Sequence, residues 1–136
     1  MAKLSEVRDD LQAVVEGVWH PYLEDIEVRV ARWDNPELVA WYAQRQQELN
    51  ELHPDGVPPE QIEALVREAL AKFVVKDYRN FSWDDGTPIT AEDTQKLFDT
   101  EGFGAAFSSW VIQKSQERSA YRASYVERAA GNSERP

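Results

Sequence analysis

Two sets of side chains in this 136-residue chain have the types to do chemistry, and their spacing is the test of each. One is the segment from Asp77 to Asp85, where Asp77, Asn80, Asp84 and Asp85 cluster the hard oxygen donors that calcium prefers. The spacing argues against a calcium loop, which needs oxygen donors at its first, third and fifth positions; counted from Asp77, the later two are Arg79 and Phe81. The other set is the pair of histidines. Neither His20 nor His53 stands at a recurring distance from a serine nucleophile or a carboxylate, and His53 precedes Pro54 in a turn, so both read as structural or surface residues. Asp84 and Asp85 could serve a hydrolase only with a base, nucleophile or electrophile beside them, and none accompanies them. There is no His-Glu-x-x-His, phosphate-cradling glycine loop or dinucleotide fingerprint. The expectation is therefore no catalytic residue, no metal, no cofactor and no enzyme.

What remains in the segment is Phe81 and Trp83 beside Asp84-Asp85-Gly86. The plainer reading is architectural: the two rings fold back between flanking helices, and Gly86 permits a tight turn. The functional reading is an aromatic contact spot rimmed by acids, with Phe81, Trp83, Asp84 and Asp85 as partner-binding candidates. Trp33, Trp41 and Tyr42 invite the same pair of readings, core aromatics or a shallow groove for a partner helix.

The elements that would position these residues follow from periodicity. Leu4, Val7, Leu11, Val14 and Val18 recur at three- and four-residue steps, which predicts a helix over about residues 4–16, stopped by Gly17. Val18 to Leu23 and the alternating Ile26, Val28 and Val30 predict a hairpin with Glu24-Asp25 at its turn. Asn35-Pro36-Glu37 is a helix start: a side-chain cap, a residue without an N–H to leave unpaired, and an acid at the positive helix end. That helix should run to about Leu52 and break at His53-Pro54-Asp55-Gly56. Pro58-Pro59-Glu60 opens another, whose period continues through Phe73 and Val74 to about Asp77. Thr90 with Asp93 resembles a capping box before a short helix bearing Leu97 and Phe98. Gly102 and Gly104 precede a long last helix marked by Phe103, Phe107, Trp110, Val111, Tyr121 and Tyr125. Its later half is mostly polar, which leaves Tyr121, Arg122 and Tyr125 as a second set of partner-binding candidates. The fold class expected is mainly α: a single small domain of about four to five helices with a short N-terminal β-hairpin, spanning residues 1–130, then a disordered tail over 131–136.

The acids outnumber the bases 25 to 15, a net charge of −10 that disfavours a phosphate backbone as partner in the absence of a basic patch. With no cysteine, disulfides and thiolate sites are excluded, and a reducing cytoplasm suits the chain. The apolar runs fall far short of the ~20 residues of a membrane span, and the N-terminal stretch carries acids where a signal peptide needs an apolar centre.

Taken in order, "GVWHPY", "IEVRVARW", "NPEL" and "ALAKFVVKDYRNFSWDDGTPITAEDTQKLFD" resemble the tail assembly chaperones of long-tailed bacteriophages over nearly the whole chain. The most specific part is Val75-Lys76-Asp77-Tyr78, then Asp85-Gly86-Thr87-Pro88-Ile89-Thr90, then Glu92 and Leu97. Tyr78 stands where that family more often has tryptophan. The resemblance implies a mostly helical protein of the host cell cytoplasm that binds the tape measure protein, shields its apolar helical surface and helps tail tube subunits gather along it. It would be absent from the mature virion, with no catalytic residue, cofactor or metal, and self-association is among the contacts it allows. Several relatives are also made as a longer, frameshifted product. The competing reading is an acidic helical interaction module, such as an inhibitor of a basic nucleic-acid enzyme; the interspersed bases fit that poorly.

Overall fold

The structure, a computed structural model, describes residues 1–123. The expected hairpin is present: β1 (Val18–Pro21) pairs antiparallel with β2 (Glu27–Val30), Val18 opposite Val30, and the Tyr22 N–H donates to the Ile26 carbonyl at 2.8 Å across the turn. Alternation sends Val18, His20, Val28 and Val30 inward and leaves Trp19 and Arg29 on the outer face, where the Arg79 guanidinium lies 3.7 Å from the Trp19 ring centroid.

The mainly helical expectation is overturned by a third strand. β3 (Val75–Arg79) pairs antiparallel with the other edge of β2, giving a mixed α/β fold around a three-stranded sheet of order β1-β2-β3. The helix expected to reach Asp77 is regular only from Pro59 to Ala69; Leu70–Val74 widens into a turn of π-helix and the chain then extends. The physical reason is the open edge of β2, whose backbone groups need partners that a continued helix would not supply. A register shift between Arg29 and Val30 leaves Lys76 unopposed, a bulge that lets both Val75 and Tyr78 face the core although three positions separate them.

The N-terminal helix is also two pieces, α1 (Leu4–Val7) and α2 (Leu11–Glu16). Asp10 breaks it by capping α2, its carboxylate accepting from the Gln12 and Ala13 N–H groups at 3.0 and 3.1 Å. Backbone bonds pull the same stretch toward the C-terminal chain: the Asp10 N–H donates to Tyr121 and the Ala123 N–H to Arg8. Leu4, Val7 and Leu11 consequently stay exposed.

The helix α3 (Pro36–Leu52) begins and ends where expected, with the Asn35 side chain accepting from the Leu38 N–H at 3.0 Å. It lies beside α4 (Pro59–Ala69). After α5 (Thr94–Phe98), α6 (Gly104–Ser115) lays Phe107 and Val111 against the inner face of the sheet. Gly104 is obligatory there, since a Cβ would sit 1.8 Å from the Phe98 carbonyl oxygen. The long last helix foreseen from the spacing ends at Ser115 instead, and Arg118–Tyr121 is a short 3-10 turn. The tail expected at 131–136 lies outside the described residues.

Candidate functional site

The segment Phe81 to Ile89 forms a miniature hairpin whose sequence dictates its bonds. The Ile89 N–H donates to the Phe81 carbonyl at 3.0 Å, the Trp83 N–H to Thr87 at 2.8 Å, and the Gly86 N–H back to Trp83 at 2.8 Å, with Gly86 at φ 89°. The Asp85 carboxylate accepts from the Thr87 N–H at 2.8 Å, and that bond holds its pKa below the usual carboxylate value. Asp93 is shifted the same way, chiefly by the Thr90 N–H it accepts at 2.9 Å and further by the Trp83 indole. The foreseen cap at Thr90 is thus made.

The rings tie this hairpin down. Phe81 packs on Tyr78 and Phe103 at centroid distances of 5.9 Å each, while the Lys96 ammonium sits 5.5 Å from the Trp83 ring. The Tyr78 hydroxyl shares a 2.7 Å hydrogen bond with Thr94, linking β3 to α5, and burial raises its pKa. Phe81 and Trp83 are half-buried, while Ser82 and the stretch from Asp84 to Pro88 are exposed. The rings were expected between two flanking helices, but Phe81 packs against Tyr78 of strand β3 and against Phe103.

The second candidate set comes apart. Tyr121 is fully buried in a separate cluster with Ala13, Val14, Val18 and Ala120, and its hydroxyl donates to the Val30 carbonyl at 2.8 Å. It is a tether between the chain end and the sheet. Arg122 is exposed, and Tyr125 lies outside the described residues. Trp41 rests on Phe73 at 5.5 Å and Trp33 on Tyr42 at 5.6 Å, which makes this aromatic group the root of α3.

The histidines serve structure. The His53 ring nitrogen is 3.1 Å from the Gln61 amide oxygen, closing the turn between α3 and α4. His20 is buried against Trp110 and Tyr121, and burial pushes its pKa down to about 4; its Nε2 has no hydrogen-bond partner among the described residues. Among the described residues, no three of His, Asp and Glu stand close enough together to hold a metal ion, and no helix is long and apolar enough to cross a membrane.

Periodicity alone missed a different surface. Between Leu38 and Leu65 no residue is buried, so most of α3, the turn and the first half of α4 project from the body as a two-helix arm. Val39, Leu52 and Ile62 are exposed on it, and a groove of about 200 Å³ between the helices is lined by Arg45, Leu49, Gln61, Ala64, Leu65 and Glu68. The signal that could have found it is composition: from Ala43 to Ala64 the acids are Glu48, Glu51, Asp55, Glu60 and Glu63, and the one cationic side chain is Arg45.

Compared with known proteins, the chain matches the family model described as YdaY prophage protein over residues 34–132, nearly three quarters of its length. No curated protein and no solved structure matches it.

Proposed function

The chain belongs to the YdaY prophage protein family, and from that phage origin we propose that it is a tail assembly chaperone. In this reading it binds the tape measure protein in the host cytoplasm, keeps that protein soluble, helps recruit tail tube subunits, and leaves before the virion is complete. It performs no chemistry of its own. The observation that carries the reading is the projecting α3–α4 arm, an acidic helical pair with exposed leucine, valine and isoleucine side chains. A long protein that must stay unaggregated before its tube forms offers amphipathic helices, and an acidic surface with dispersed apolar contacts would cover them while resisting precipitation. Many moderate contacts also suit a partner that must later be released. The reading is also supported by the order of motifs from Val75 to Leu97, which resembles that of tail assembly chaperones.

Co-expression with the tape measure protein of the same phage is the test. Under this proposal the tape measure protein shifts from the pellet to the soluble fraction and co-purifies with the chain; an unchanged pellet without co-purification would reject it.

A further inference from the structure

We infer that the outer half of the α3–α4 arm is a docking surface for one amphipathic helix whose apolar stripe is flanked by lysine and arginine. Leu49 and Leu52 lie one helical turn apart on α3, and Leu52 is 74% exposed. On α4 Ile62 is 42% exposed and precedes Leu65 by one turn. The groove between Leu49 and Leu65 is open, with Arg45, Gln61 and Glu68 at its edges. A helix laid along it would cover apolar area that nothing in the described chain covers.

Charge selects the occupant. Arg45 is already paired with Glu48 at 2.7 Å, while Glu51, Asp55, Glu60 and Glu63 have no ion-pair partner among the described residues. A second copy of the chain would bring an equally acidic arm, in a molecule of net charge −10, against these carboxylates. A basic-flanked helix would instead meet an arm whose residues 43–64 carry five acids and one arginine. The inference rests on the reading of the protein as one that binds a client helix, and it can be tested without that client.

The probe is a fluorescein-labelled designed helix with leucines at three- and four-residue steps and lysine or arginine beside them, followed by anisotropy on the full-length chain. Two controls accompany it: the same stripe flanked by glutamate, and the basic composition with its stripe scrambled. The basic striped helix should bind at least about tenfold more tightly than either control, and less tightly as salt rises. The double variant Leu52→Ser, Ile62→Ser, at sites that hold no core, should weaken it about tenfold with an unchanged Tm. Equal binding by the scrambled helix, or no loss in the double variant, would overturn the inference. So would a dimer in sedimentation that the double variant dissolves, because a second copy would then be the occupant. If the designed helix binds but the tape measure protein is not captured, the docking surface stands and the tail reading fails; capture of the tape measure protein without binding of the designed helix gives the reverse.

Discussion

The body and the arm use the same kinds of residue to opposite ends. In the body, Val28, Val30, Phe107 and Val111 are fully buried, and distant segments close over them: β3 at the sheet edge, α6 on its face, and Tyr121 anchored to Val30. In the arm, apolar residues at equally regular helical spacing meet a single neighbouring helix and remain in part open to water. Helical periodicity therefore reports that a face is apolar without reporting what covers it. The pairing of β3 with β2 and the bond from Tyr121 to Val30 belong to the body alone.

If that division is right, damage to the body should dominate stability. Phe107→Ala removes a fully buried ring that meets Tyr22, Phe98, Phe103 and Trp110. Chemical denaturation should register a loss of about 3–5 kcal/mol; a loss below about 1 kcal/mol would mean that the body is not the structural centre.

The next effect is one of pH. His20 titrates near its ordinary 6.5 when unfolded and at about 4 when folded. Between these values the unfolded chain binds more protons, so stability falls as pH drops from about 6.5 toward 4. The full loss from this residue is on the order of 3 kcal/mol. Melting temperatures at pH 7 and 5.5 should differ more for the native chain than for His20→Gln, and equal differences would show that burial of His20 is not responsible.

A smaller change tests the join between the regions. Asn35 is buried, caps α3 and donates its side-chain amide to the Arg32 carbonyl at 2.7 Å. Asn35→Ala should lower stability by about 1 kcal/mol in a denaturant titration, within the range for lost N-caps. Smallest of all, Leu52→Ser should move the melting midpoint by no more than about 0.5 kcal/mol equivalent, as expected for a surface site. A larger loss would place Leu52 in a packed interface and break the contrast.

The sequence revealed what local chemistry decides. Asn35-Pro36 announces α3, Gly86 its turn, and Asp93 the cap that follows, because each acts within a few residues. It concealed β3, since Val75 and Tyr78 continue the helical period of Leu70 and Val74, and the bulge at Lys76 masks the two-residue alternation of a strand. Tyr121 looked like surface because its polar neighbours are local, whereas its burial is decided by Val30, 91 positions away. Of the candidate site, the turn at Asp84-Asp85-Gly86 was legible from local residues; the arm was not, because apolar residues at helical spacing read as core wherever their covering is unknown.

Hydrogen exchange across the full-length chain, with and without the basic striped helix bound, tests the division most directly. Added protection should be confined to residues 43–64, with the sheet and α6 already slow and unchanged. Protection gained instead over residues 81–90, or spread evenly through the body, would contradict the assignment of binding to the arm.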